Sequence, residues 1–192
     1  MVLYFKNRGE ENTRKVLELC IEKARKLPSK KLIIPSTRGK SAELALELLD
    51  GTDVQLIVVT HSVGFKEPDK DEFDPSIKKK LIEKGYKILT TTHLFAGIDR
   101  ALRKEFGGIY PTDIVATALK IFSPGTKVAF EISIMAADAG LVSTKEWVVS
   151  AGGTGKGLDT AYVLKPVHSN NFWELSFGEL ICIPSEFEGV DQ

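Results

Sequence analysis

Ile33-Ile34-Pro35-Ser36-Thr37-Arg38-Gly39-Lys40-Ser41-Ala42 is an apolar run that breaks into a polar, glycine-centred turn and then restarts as a helix. Lys31 through Ile34 has the composition of a strand buried on both faces, whereas Ser41 to Leu49 is helix-forming with its apolar residues at helical spacing. Residues 36–40 therefore fall at a helix N-terminus. Unpaired backbone N–H groups and the positive end of the helix dipole favour an anion there, and Arg38, Lys40 and the hydroxyls of Ser36, Thr37 and Ser41 add charge and donors. The reading is strand, phosphate-binding loop, helix. It is not a nucleoside-triphosphate P-loop, because Ile34 and Pro35 stand where that signature opens on glycine. Taken alone, the stretch reads equally well as a plain polar connection capped by Ser36 or Thr37.

The 192 residues suit one α/β domain spanning 1–192, and 43% hydrophobic with 27% charged residues is ordinary for a globular chain. Lys plus Arg and Asp plus Glu number 26 each, so no nucleic-acid or membrane surface is expected. No apolar run reaches the about 18 residues of a membrane span, and Met1 to Lys6 is too short for a signal-peptide core, which makes the expected location cytoplasmic. Cys20 and Cys182 lack metal or redox spacing and read as core residues.

Around the central stretch the pattern alternates between helix and strand. Glu10 to Lys26 reads as a helix ended by Pro28; Val54 to Thr60 reads as a second strand, parallel to the first across the helix Lys40 to Leu49. An acidic segment from Lys66 to Pro75, read as a mobile flap, leads to a helix over Ser76 to Lys84 and a strand over Lys87 to His93. Two strands thus end in threonine and histidine. Ligands of open α/β sheets lie beyond the carboxyl ends of parallel strands, where His61 and His93 fall. Helices follow over Ala96 to Phe106, Pro111 to Phe122 and Val128 to Leu141, the last rich in small residues suited to packing on the sheet or on a second subunit. Glu131 and Asp138 in that helix read as solvated or salt-bridged rather than functional.

The strand Glu146 to Ala151 delivers a second loop, Gly152-Gly153-Thr154-Gly155-Lys156-Gly157-Leu158-Asp159-Thr160. Its four glycines fit a sharp bend or a close ligand, and successive amides with Thr154 and Lys156 can form an anion nest. A hairpin turn is the alternative, since Ala161 to Lys165 resumes as a strand, and Gly178 to Pro184 closes the chain as another.

With both loops in view, the sequence resembles the C-terminal α/β domain of pyruvate kinase, standing alone. The resemblance rests on Leu32 to Ala42, on Val54 to Thr60, and on Ala137-Asp138-Ala139-Gly140-Leu141-Val142, with Val148 to Gly152 and Gly157 to Val163. It implies an open three-layer sandwich with a mostly parallel sheet, and loops that hold phosphates of a sugar bisphosphate. Because the catalytic barrel is absent, pyruvate kinase activity is not expected. Stand-alone, archaeal-type proteins similar to this one carry the stretches Thr60 to Phe65 and Thr92 to Gly97. That likeness implies flavin mononucleotide (FMN) as the cofactor, its phosphate at Thr37 to Ser41 and its ring in a slot built from Val63, Phe65, Leu94 and the glycine loop.

Two functions remain open at this level. One is a flavin-binding protein, an oxidoreductase of unassigned substrate with His61, His93 or Lys156 near the ring. The other is a non-catalytic sensor of a phosphorylated metabolite such as a sugar phosphate. A metal hydrolase built on His61 and His93 is disfavoured, since no carboxylate sits beside them at ligand spacing. A homo-oligomer and a monomer are equally compatible with the sequence.

Overall fold

Leu32-Ile33-Ile34 and Leu56-Ile57-Val58-Val59 are buried along their whole length because layers of helix cover them from both sides. The computed structural model describes residues 2–186; Met1 and residues 187–192 of the span read as one domain lie outside it. In chain order the elements are β1 (Leu3–Phe5), a 3-10 turn (Glu10–Asn12), α1 (Thr13–Lys26), β2 (Lys31–Pro35), α2 (Lys40–Leu48), β3 (Gln55–Thr60), α3 (Pro75–Glu83) and β4 (Lys87–Thr90). Then come α4 (Gly97–Phe106), α5 (Pro111–Lys120), α6 (Pro124–Asp138), β5 (Val148–Gly152), β6 (Thr160–Lys165), a second 3-10 segment (Ser169–Glu174) and β7 (Ser176–Pro184).

The sheet runs β1-β7-β6-β5-β2-β3-β4. Strand β2 pairs parallel with β3 and β5, β3 with β4, and β1 with β7; only β6 runs against its neighbours. The period of two along each strand sorts the core into two faces. Leu32, Ile34, Leu56 and Val58 pack under α1, α2 and α3, while Ile33, Ile57 and Val59 pack under α6. That arrangement is α/β in three layers, mostly parallel.

Several boundaries differ from the sequence reading for identifiable reasons. Helix α6 starts at Pro124 rather than Val128, because the Ser123 hydroxyl caps it by accepting from the Thr126 amide at 2.8 Å and Pro124 suits the first turn. Strand β4 stops at Thr90 rather than His93, being an edge strand with only β3 to hold it. The N-terminal β1, only three residues long, pairs with β7 at the opposite edge. The segment 66–75, read as a mobile flap, is exposed over 66–70 and at 74 and 75, and is anchored by the buried Phe73 and by Gly64 N–H donating to Lys70 O at 3.1 Å.

The small residues of α6 serve the sheet. Helix and strand approach so closely that a Cβ on Gly152 would lie 2.0 Å from the Gly125 carbonyl oxygen. Ser150 Oγ donates to Ala129 O at 2.7 Å, tying the same two elements. Cys20 and Cys182 are free and buried, and burial, followed by the charge of Asp159, pushes the Cys182 thiol up to about 12. No helix among the described residues is long and apolar enough to cross a membrane.

Gly152→Ala is therefore expected to destabilise the fold by about 1–3 kcal/mol, since neither backbone can retreat without disturbing a packed layer. Urea unfolding reads this as a lower midpoint. An unchanged midpoint would show that α6 and β5 separate without cost.

Candidate functional site

From β2 the chain moves to β3 and β4 on one side, then crosses through α4, α5 and α6 to β5 on the other side of β2. Its connections thus diverge above the carboxyl ends of β2 and β5. That gap is where open α/β sheets bind ligands, and here it opens into a cavity of about 730 Å³, a normal size for a small-molecule site. Pro35 and Val59 lie at the strand ends, and the loop 36–41, the glycine loop, the start of α1 and the first half of α6 make the walls.

The first loop is shaped for an anion. Ser36 is buried, donates its N–H to Val59 O at 2.9 Å, and so fixes the exit from β2. Gly39 caps α2 with φ at +102°, and a Cβ there would meet Ile77 Cδ1 at 2.5 Å. Glycine is required on both counts. Among the described residues no backbone carbonyl accepts from the amides of Thr37, Arg38 or Gly39, which leaves them at the positive end of α2. Arg38 and Lys40 extend from the same turn with exposed side chains, and Lys40 lies 3.6 Å from Glu10.

The glycine loop is held by Asp159, which the sequence reading placed in that loop without a role of its own. The buried carboxylate of Asp159 accepts from the amides of Gly9 at 2.9 Å and Thr154 at 3.1 Å and from the Thr160 hydroxyl at 2.8 Å. Leu158 N–H adds a 3.0 Å bond to Thr13 Oγ1. These contacts draw residues 153–157 over the cavity opposite the first loop. Thr154 Oγ1 is buried without a hydrogen-bond partner among the described residues, beside Gly153 and Gly155 on the cavity wall.

The two histidines meet, with ring centroids 5.3 Å apart, and each has a carboxylate. His61 Nδ1 is 3.0 Å from Glu72 Oε2, and its Nε2 is 3.3 Å from Thr37 Oγ1. His93 Nε2 is 3.3 Å from Thr60 O, and its Nδ1 is 3.8 Å from Glu131 Oε2. Glu131, at 1% side-chain exposure, is far from solvated: it pairs with Lys127 one helical turn back and accepts from Phe95 N–H at 3.1 Å. Asp138, the other carboxylate of that helix, is exposed at its end and accepts from Ser169 N–H at 3.0 Å. The sequence has no carboxylate beside the histidines at ligand spacing, and tertiary contact supplies Glu72 and Glu131 instead. Even so, no group of metal-ligand geometry forms among the described residues.

Of the residues named from sequence, Ser36, Thr37, Arg38, Lys40, Ser41, His61, His93, Gly153, Gly155 and Lys156 line this one cavity. Gly39, Gly152 and Thr154 lie behind it and set its shape. Val63, Phe65 and Leu94, expected to build a slot for a ring, are not among the residues that line this cavity. Val63 is 52% exposed, Leu94 packs against the cluster under α6, and Phe65 stacks on His61 at 4.0 Å instead. The apolar lining comes from Val59, Leu44, Val128 and Ile132. No family model matches the chain.

Electrostatics distinguish the two histidines' surroundings. The Glu72 carboxyl is held below its usual range, first by the hydrogen bond from His61 and, against the cost of burial, by Lys66 at 3.5 Å. Burial drives the pKa of His93 below 6.5; Glu131 pulls it upward, and His61 and Lys127 push it down. An imidazole whose folded pKa is depressed contributes stability fully above its unfolded pKa, and loses it as pH falls through the folded pKa. Proton NMR of the His93 ring is expected to give a midpoint below 6.5, and His93→Gln to remove part of the acid destabilisation. A midpoint at or above 6.5 would contradict this environment.

Proposed function

We propose that this protein binds a phosphorylated small molecule at the carboxyl ends of β2 and β5, with the phosphate on residues 37–41. The single observation that carries this reading is the shared cavity: the unpaired amides and cations of the first loop face the glycine loop across one space large enough for a nucleotide. Arg38, Lys40 and Lys156 supply positive charge around it, against a chain whose net charge is zero.

Flavin mononucleotide is the ligand this reading favours, in keeping with the resemblance to stand-alone relatives of the pyruvate kinase C-terminal domain. The residues present fit its parts. The first loop suits the monophosphate, and the apolar side chains Val59, Val128 and Ile132 flank the way to His93, where a ring system has room. When bound, a flavin supplies redox chemistry; the chain's own residues anchor the phosphate, exclude water beside Ile132 and offer hydrogen bonds from His61, His93 and Lys127. A sugar phosphate is the second reading. It is favoured by the polarity of the wall beyond His61, where Lys127, Glu131 and His93 suit hydroxyl groups.

The visible absorption spectrum of freshly purified protein separates them. Flavin bands whose chromophore is released by heat as the mononucleotide support the first reading, and a colourless protein stabilised by sugar phosphates supports the second. In either case, Arg38→Ala with Lys40→Ala is expected to weaken affinity by about tenfold or more, as loss of charge-assisted contacts implies. Unchanged affinity in that double variant would remove the phosphate from this loop.

A further inference from the structure

The phosphate loop holds a hydroxyl in hydrogen-bond reach of an oriented base. Thr37 Oγ1 lies 3.3 Å from His61 Nε2, and His61 Nδ1 lies 3.0 Å from Glu72 Oε2. The Glu72 side chain is only 8% exposed, Lys66 stands 3.5 Å and Arg38 4.0 Å from it, and Phe65 packs on the imidazole at 4.0 Å. With Glu72 ionised, Nδ1 carries the proton and Nε2 is left to accept from the threonine hydroxyl. Thr37 and His61 line the cavity; Glu72 stands behind them.

This is the arrangement of an activated nucleophile: hydroxyl, base, and a carboxylate that sets the tautomer of the base. It sits at a strand-to-helix turn beside the unpaired amides of Arg38 and Gly39, donors suited to charge that develops on an attacked group. The 3.3 Å separation is in the looser range that such pairs have without a substrate.

We propose that Thr37, His61 and Glu72 form a phosphoryl-transfer triad that hydrolyses phosphate monoesters. The inference rests on the phosphate placement proposed above, since a phosphoryl group in that cradle has the Thr37 hydroxyl at its edge. Thr37 Oγ attacks phosphorus while its proton passes to His61 Nε2. The bond from phosphorus to the leaving oxygen breaks on the opposite face, and that oxygen takes a proton from solvent while His61 keeps the threonine proton. Water then attacks the phosphothreonine from the vacated face, losing its proton to solvent; the bond from Oγ to phosphorus breaks and His61 returns its proton to the threonine oxygen. The sum is ester plus water giving alcohol plus phosphate. Thr37 and His61 are the catalytic residues, and Glu72 is a positioning residue. Flavin mononucleotide is itself a phosphate monoester in the same cradle, so the triad makes it a substrate, and recovery of the intact mononucleotide from the purified protein would overturn the triad while leaving the cradle standing.

The test uses the full chain with p-nitrophenyl phosphate as probe, followed by release of p-nitrophenolate and by mass spectrometry of acid-quenched peptides. Turnover with phosphate on Thr37 is expected. Thr37→Val should lower turnover by about 10²-fold or more and abolish the adduct, whereas Thr37→Ser should retain both. Glu72→Gln should lower kcat with KM little changed, and Glu72→Asp should restore part of the turnover, a pattern that mere loosening of the fold would not give. Phosphorus NMR with inorganic phosphate tests the cradle separately. Phosphate binding by the wild-type chain without turnover or adduct would overturn the triad and leave the cradle standing; absence of phosphate binding would overturn both.

Discussion

The divergence of the chain above β2 is the constraint from which the ligand end of the molecule follows. With parallel partners on both sides, β2 is buried on both faces and both edges, and its carboxyl end meets connections that leave in opposite directions. No connection crosses the gap, so the gap persists as a cavity. The N-termini of α1, α2 and α6 all come to this end of the sheet, because each helix runs antiparallel to the strands it connects. The loop after β2 and the loop after β5 are then the natural walls, and both are stretches in which the backbone comes close to what it faces.

Charge is distributed around this cavity in bonded pairs and threes. Burying a lone carboxylate costs several kcal/mol, which makes Glu131 tolerable only with Lys127, the Phe95 amide and His93 around it. Glu72 is held in the same manner by His61 and Lys66. Asp159 carries the third buried carboxylate and uses it on amides, closing the glycine loop on Gly9. Arg38 and Lys40 make only the long pairs to Glu72 at 4.0 Å and Glu10 at 3.6 Å, and with Lys156 they are exposed around the mouth of the cavity, within reach of an anion.

The run from Leu32 to Leu49 was legible because its physics is local: an apolar strand, a turn with glycine at positive φ, and a helix with its own periodicity. The meeting of His61 and His93 was legible in part: parallel neighbours bring their carboxyl ends together, but the register sets Thr60 against Thr90, and His93 reaches His61 from the loop beyond β4. The start of α6 was written in Ser123-Pro124, a cap followed by a first-turn proline, but the apolar run from Val128 drew the boundary inward. Glu131 had a signal as well: a carboxylate in mid-helix among small and apolar residues, with lysine four positions earlier. Glu72 and Asp159 had none. Their roles are set by His61 and by Gly9, the latter 150 positions from Asp159, and only the folded chain puts these groups together.

The most direct test is the diffraction structure of crystals grown with flavin mononucleotide. The account predicts phosphate density within hydrogen-bonding distance of the amides of residues 37–39, with the ring system in the cavity towards His93. Phosphate density elsewhere on the molecule, with this cavity filled only by water, would contradict it.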